Sequence, residues 1–408
     1  MELTNGQYSI QSIPVNDITQ EFGTPVYVYD EAVIVRQIES LRKGFSSVNL
    51  RIKYAAKALT NLSILRLMKK QGVGVDVVSI EEARLAVHAG YTPEEISFTP
   101  NGVVFEEIIA AVNLGVAINI DNLPTLQKFG ERYGNQKPCS LRINPGIMAG
   151  GNYKISTGHL QSKFGISIQQ LSQILDIVKK FDIPVSGLHV HTGSEIGDLD
   201  VFFKVADVLF SAARNFPALK FLDFGGGFKV AYKPGDFVTN IEDLGTKLGK
   251  AFNQFCQEYG QSLELWIEPG KFLVSEAGTL LVKTSLVKET PMLTFLHVNS
   301  GLNHLLRPMM YDAHHEIVNV SNPLGPQKKY TVVGYICETD TLGADRLLNE
   351  VREGDLLAIK NAGAYGFTMA SNYNSRLRPA EVLVTNKTAK LIRKQESFDD
   401  LLKNQIDL

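Results

Sequence analysis

At 408 residues, with 44% hydrophobic and 21% charged residues, the chain can hold one large domain plus an appendage, and its composition is that of a soluble globular protein. A formal net charge of -2 gives no electrostatic basis for binding nucleic acid or an acidic membrane surface. Apolar runs are short, no basic segment leads into an apolar core at the start, and Cys139, Cys256 and Cys337 fit neither a disulfide framework nor a zinc pattern; a reduced, cytoplasmic setting without a membrane partner is expected.

Residues 7–13 read as a β segment ahead of the main pattern. From about residue 50 to residue 270 one unit recurs: a β-rich run, a polar or glycine turn, then a helix-period segment. The predicted strands are 50–56, 73–79, 95–100, 116–121, 139–145, 185–192, 221–225 and 263–268. Apolar residues crowd them, as expected for parallel strands buried on both faces. Between them, Ser79 with Glu82 forms a capping box, and Gly72, Gly90 and Gly115 stand where helices should stop. Eight strand–helix units argue for an α/β TIM barrel, (β/α)₈, over an open doubly wound sheet, and no glycine fingerprint follows the first strand. Beyond residue 270 the predicted strands 279–287, 294–298, 330–336, 355–360 and 381–384 lack long helices between them. They read as a C-terminal antiparallel β domain, which residues 7–13 could join. The expected division is 30–275 for the barrel, with 1–29 and 276–408 for the β domain.

Chemistry in such a barrel gathers at the C-terminal ends of its strands. Strand one ends in Lys57. Strand six ends His189-Val190-His191-Thr192-Gly193-Ser194, strand seven ends Gly225-Gly226-Gly227, and strand eight ends Glu268-Pro269-Gly270-Lys271. Singly, each has a plainer explanation: a solvated lysine, a tight turn, a salt-bridging glutamate. His189 and His191 alternate on one strand and could ligate zinc, but no histidine ends another barrel strand to complete a shell, so no metal is expected. Together the set suits pyridoxal phosphate. A lysine forms the Schiff base, glycine amides hold the phosphate, a carboxylate keeps the pyridine nitrogen protonated and an aromatic ring stacks on the cofactor.

These residues, with Tyr54-Ala55-Ala56-Lys57, Ser371-Asn372-Tyr373-Asn374-Ser375-Arg376 and Arg378-Pro379-Ala380-Glu381, resemble the alanine-racemase-fold pyridoxal-phosphate decarboxylases over nearly the whole chain. The resemblance implies that Lys57 is the Schiff-base lysine, that His191 stacks on the ring and that Glu268 meets the pyridine nitrogen. It places Ser194, Gly225, Gly226, Gly227 and Tyr365 around the phosphate. Cys337 and Glu338 resemble the pair that enters the site from the other protomer of a head-to-tail homodimer, Cys337 as a catalytic group and Glu338 on the substrate. Two stretches, Ile155-Ser156-Thr157-Gly158 with Ser162-Lys163-Phe164-Gly165, and Arg307-Pro308-Met309-Met310-Tyr311, resemble the diaminopimelate branch more than the ornithine branch. The activity implied is decarboxylation of meso-diaminopimelate to L-lysine, closing lysine biosynthesis.

The chemistry of the substrate agrees. Its distal carboxylate calls for a guanidinium and a hydroxyl, which Arg307 and Tyr311 offer, and its distal ammonium calls for an acid such as Glu338. Two positions depart from the pattern. Lys271 stands where the family has arginine, so a share in binding phosphate or substrate loses the guanidinium fork. Thr339-Asp340-Thr341 moves the acid of the family's Ser-Gly-Asp by one position. Decarboxylases of carboxynorspermidine, lysine or ornithine remain as alternatives. An amino-acid racemase lacks a visible second base, and a non-enzymatic pyridoxal-phosphate carrier needs no β domain with Cys337, Glu338 and Tyr365.

Overall fold

The structure, a computed structural model, describes residues 1–149 and 157–408 and divides into two compact units. One comprises Gln37–Val230 and Phe237–Phe272; the other comprises Met1–Arg36, Ala231–Asp236 and Leu273–Leu408.

In the first unit the strands are β1 (Leu50–Ala55), β2 (Gly74–Val77), β3 (Ile96–Phe98), β4 (Ala117–Ile120), β5 (Cys139–Asn144), β6 (Val185–His189), β7 (Phe221–Asp223) and β8 (Glu264–Ile267). Each pairs in parallel with the next in sequence, and β8 pairs with β1, so the sheet closes into a barrel. All eight predicted strands are present, each shorter at the C-terminal end by one to three residues. The trimming matters: β6 stops at His189, so His191 lies in the loop beyond rather than on the strand. The helix Ile80–Ala89 shows how local sequence sets the outer layer. Ser79 Oγ accepts from Glu82 N–H, and Ile80, Ala83, Ala86 and Ala89 give it a buried stripe at three-residue spacing. Gly90 ends it in the left-handed conformation, as Gly115 ends Phe105–Leu114. The Glu82 carboxylate reaches back to Val78 N–H rather than to Ser79, so the capping box is displaced by one residue.

The barrel interior is more polar than its apolar runs suggest. Lys53, Asp76, Ser97, Asn119, Arg142, His189 and Asp223 are buried, at least one on each of β1 to β7. Lys53 donates to the carbonyls of Glu94 and Glu95 and lies 4.6 Å from the Trp266 ring centroid, so its charge is spent on the fold.

In the second unit the sheet runs Thr341–Asn349, Gln327–Val333, Thr294–Val298, Gly278–Glu289, Val26–Asp30, Ala380–Thr385, Thr388–Arg393. Ile317–Asn319 joins through Leu356–Ile359, which pairs with Gly278–Glu289. The five strands expected here are present. The expected antiparallel arrangement needs one correction: Val26–Asp30 pairs in parallel with Ala380–Thr385, and Thr294–Val298 with Gln327–Val333. Residues 7–13 do not enter this sheet either. Glu2–Thr4, Gln7–Ile10 and Ile13–Pro14 form a separate three-stranded sheet. It still belongs to the same core, where Ile10 packs with Val15, Ile18, Val26, Val28, Leu281 and Val382. On the opposite face of Val26–Asp30, Tyr27 OH donates to His304 O and Tyr29 OH to Glu381 Oε1.

Candidate functional site

Lys57 leaves β1 on a 3₁₀ turn, Ala56–Ala58, which carries its side chain clear of the strand. The side chain is 40% exposed, and Nζ lies 3.9 Å from Asp76 Oδ2 on β2. Asp76 is buried. Burial first, then the negative charge of Glu268, drives its carboxyl well above the usual range, with Lys57 opposing them.

Glu268 follows β8 and is 8% exposed. His189 Nε2 lies 3.0 Å from Oε2, while no N–H group reaches Oε1 among the described residues. Burial works against its charge, but His189 and then Lys57 hold the carboxyl well below the usual range. Burial also lowers the His189 ring, so at neutral pH this histidine contributes a hydrogen bond rather than a charge, leaving Lys57 as the stabilising cation. Asp223, ending β7, is pushed the other way. Burial and the Glu268 charge raise its carboxyl, and a hydrogen bond with Glu268 adds to them. Of the three groups, Glu268 is thus the one favoured as an anion, while the His189 ring and the Asp223 carboxyl are both pushed toward their neutral forms.

His189, Asp223 and Glu268 also offer ligand atoms within 4.8 Å of one another. The sequence argument against a metal counted histidines alone and overlooked carboxylates on neighbouring strands. At 3.0 Å, however, the His189–Glu268 pair is already joined through a proton that a metal ion would have to displace.

The glycine run after β7 is built for close approach. Gly225 and Gly227 have φ of +64° and +99°, and a Cβ on Gly226 would stand 2.4 Å from the Glu268 carbonyl oxygen. Gly225 N–H donates to Asp223 Oδ1, and Gly226 N–H donates to His191 Nδ1. Two of the three amides are thus engaged internally. The second bond puts the proton of a neutral His191 on Nε2, and burial with the positive charge of Lys57 holds the ring well below the usual imidazole range. Ser194 lies half-buried in the loop after β6. Its neighbour Glu195 takes Lys271 Nζ at 2.7 Å, with Lys271 only 8% exposed. Glu195 is the residue that sequence reasoning missed in judging Lys271, because a loop acid four residues past His191 carries no periodic signal.

Ile155 and Ser156 lie outside the described residues. Thr157 Oγ1 donates to His191 O, and Phe164 lies under the guanidinium of Arg142 at 4.8 Å. The Phe164 ring therefore supports a buried cation of the barrel interior.

The second unit holds the remaining candidates. Arg307 opens the short helix Arg307–Tyr311, is 3% exposed, and donates from Nη1 to His315 Nε2 at 3.2 Å; Tyr311 closes the helix half-buried. Cys337 and Glu338 are exposed at the tip of the 334–340 loop. Asn374 Nδ2 reaches Cys337 Sγ at 3.2 Å, and Tyr373 OH donates to Glu338 Oε1 at 2.6 Å. Asp340 anchors this loop: its oxygens accept Leu302 N–H and Ile336 N–H at 2.6 and 2.8 Å. Tyr365 sits half-buried at φ +55°, an unusual conformation for a bulky side chain. The barrel unit thus brings together Lys57, His191, Ser194, the three glycines, Glu268 and Lys271, and the sheet unit carries Arg307, Tyr311, Cys337, Glu338 and Tyr365.

Residues 31–275 match the family described as pyridoxal-dependent decarboxylase, pyridoxal binding domain. A diaminopimelate decarboxylase of Methanothermobacter thermautotrophicus is 37% identical over 95% of this chain and 93% of its own length. The crystal structure of diaminopimelate decarboxylase from M. jannaschii superposes with a TM-score of 0.91 at 32% identity, covering 100% of this chain and 98% of that one. A second crystal structure of that enzyme, in co-complex with L-lysine, superposes with a TM-score of 0.89 at 31% identity and equal coverage. By these matches over nearly its full length, the chain belongs to the pyridoxal-dependent decarboxylases, in the diaminopimelate decarboxylase branch.

Proposed function

We propose that the protein decarboxylates meso-2,6-diaminopimelate to L-lysine and carbon dioxide, with pyridoxal 5'-phosphate as cofactor, no metal, and active sites shared within a homodimer. The observation that carries this reading is Glu268: a buried, ionised carboxylate with one oxygen held by His189 and the other reached by no N–H group among the described residues. Such an oxygen fits a protonated pyridine nitrogen. The glycine run fits the same ligand, since a Cβ on Gly225 or Gly226 would collide with His191 or with the Glu268 carbonyl.

Bound there, pyridoxal phosphate supplies a ring that accepts the electron pair left at Cα when carbon dioxide departs. Lys57 Nζ holds the cofactor covalently, and Glu268 Oε1 keeps the proton on the ring nitrogen. The neutral His191 ring would stack on the cofactor and hold its plane. Gly227 N–H, Ser194 and Tyr365 hold the phosphate, with Gly225 and Gly226 shaping the approach. Arg307 and Tyr311 take the distal carboxylate and Glu338 the distal ammonium. Cys337 returns a proton to Cα. Lys271, already paired with Glu195, fixes the loop that carries Ser194 and offers its charge to the phosphate or substrate from there. The sheet unit forms the dimer interface.

Two measurements test the reading. The purified protein should show the visible absorbance of bound pyridoxal phosphate, and carbon dioxide release should be fastest with meso-diaminopimelate among diaminopimelate, carboxynorspermidine, lysine and ornithine. A colourless protein that gains no absorbance on adding the cofactor overturns the first half; preference for another amino acid overturns the second.

Glu268→Gln tests the acid separately. Losing a charge-assisted hydrogen bond costs roughly 1.5–3 kcal/mol, or about one to two decades in rate. The expected result is a fall of that size in kcat with little change in cofactor affinity. Unchanged turnover removes Glu268 from the mechanism.

A further inference from the structure

Two turns of the sheet unit meet at their tips. The 334–340 loop carries Cys337 and Glu338, and the turn Tyr373–Ser375 carries the two residues that reach them. Tyr373 OH donates to Glu338 Oε1 at 2.6 Å, and Asn374 Nδ2 donates to Cys337 Sγ at 3.2 Å. Each turn is fixed from its own base. In the first, Asp340 accepts the amides of Leu302 and Ile336. In the second, Asn372 Nδ2 donates across the turn to Arg376 O and also to Glu396 Oε2, while Ser371 N–H donates to Asn303 O. Asn374 and Ser375 stand in the left-handed region, at φ of +57° and +53°, which persists where the surroundings enforce it. The direction of the Tyr373 hydroxyl is therefore set before any ligand arrives.

The choice of a tyrosine has a consequence. A glutamate side chain that is not held must be ordered when an ammonium binds, and that ordering subtracts from affinity. A lysine or arginine could order it but would cancel the charge that the ammonium needs. A hydroxyl orders it and carries no charge. The bond to Glu338, with the charge of that carboxylate, pushes the Tyr373 hydroxyl up to about 12, so it remains a donor at neutral pH. Among the described residues only Oε1 of Glu338 is engaged, which leaves Oε2 for a ligand. We propose that Tyr373 is a positioning residue for substrate recognition: by holding Glu338 Oε1 it aims Oε2 at the ammonium of diaminopimelate that survives the reaction. This rests on the assignment of Glu338 given above. The surviving ammonium is also the α-ammonium of the product, L-lysine. The hold is therefore legible in product binding, without reference to the chemical step.

The experiment measures, by calorimetry on the holoenzyme, the binding of L-lysine and of 6-aminohexanoate, which is L-lysine without the α-ammonium. Tyr373→Phe keeps the ring and removes the donor. It should weaken L-lysine binding by roughly fivefold to tenfold, the scale of one hydrogen bond to a charged group at a solvated position. Binding of 6-aminohexanoate should change by less than about twofold on the same scale. Glu338→Gln should also weaken L-lysine selectively. Adding Tyr373→Phe to it should cost little more, because two residues that act through one contact are not additive. The proposal is overturned if Tyr373→Phe weakens both ligands equally, or leaves L-lysine binding unchanged while Glu338→Gln weakens it. It is also overturned if the effect of Tyr373→Phe persists in full beside Glu338→Gln, since Tyr373 would then act on the ligand directly. If Glu338→Gln itself weakens both ligands equally, or neither, the assignment of Glu338 is overturned, and the proposal falls with it.

Discussion

Lys57→Ala should abolish decarboxylation, by on the order of three decades or more, while leaving the barrel folded. The side chain contributes little to the core: it is 40% exposed and leaves β1 on a turn whose flanking Ala56 and Ala58 make the buried contacts. Its loss does strip a cation from Asp76, 3.9 Å away, but burial already pushes that carboxyl up and loss of the cation pushes it the same way, toward its neutral form. Glu268 also loses the favourable charge of Lys57 but keeps its hydrogen bond from His189. Circular dichroism and melting should therefore resemble wild type. Lys57→Arg sharpens the result, because guanidinium keeps the charge near Asp76 and lacks a nucleophilic amine. It too should be inactive. Reduction of the wild-type holoenzyme with borohydride should fix the cofactor on the peptide containing Lys57. A label on another lysine, or turnover surviving in Lys57→Ala, sinks the assignment.

The barrel was legible because its signals are local and repeated. Eight apolar runs separated by capped helices admit few other closures, and residues such as Ser79, Gly90 and Gly115 mark their own roles by backbone chemistry. The sheet unit was half legible. Thr341–Asn349 escaped because Gly343 and Asp345, the latter at φ +53°, break the alternation at a register shift against Gln327–Val333. Val26–Asp30 escaped because its Val-Tyr-Val-Tyr-Asp pattern is buried on both faces and so shows no polar alternation, and because its partners lie hundreds of residues away. Within the site, residues ending a strand in a rare pattern stood out, as did Lys57, Gly225 and Glu268. Asp76, Arg142 and Asp223 did not, since one polar residue inside an apolar run reads as noise until closure turns it inward. Asp340 shows the opposite error. Its shift from the family position looked like a question about chemistry, yet its two hydrogen bonds to Leu302 and Ile336 amides make it the anchor of the 334–340 loop.

Inactive Lys57→Ala and inactive Glu338→Ala chains, mixed and allowed to exchange, should regain activity. The reasoning begins with the 334–340 loop, which Asp340 fastens from within while Cys337 and Glu338 stay exposed at its tip. Both side chains are pre-oriented, Cys337 by Asn374 and Glu338 by Tyr373, which is itself 42% exposed. A rigid loop that presents an acid and a thiol outward, well separated in sequence from Lys57, suits a group that completes the site of a second chain. In a two-fold dimer the interface is used twice, so each site takes Lys57 from one protomer and Cys337 with Glu338 from its partner. A hybrid of the two variants then carries both lesions in one site and none in the other. Under random exchange half of the dimers are hybrids, each with one intact site of two, which predicts roughly a quarter of wild-type activity. A site built within one chain gives a different result: every hybrid site carries one lesion, and mixing restores nothing. Exchange must be demonstrated independently, by mass tagging one variant and recovering mixed dimers. Mixed dimers without recovered activity would show that each chain works alone and that Cys337 and Glu338 serve their own barrel or neither.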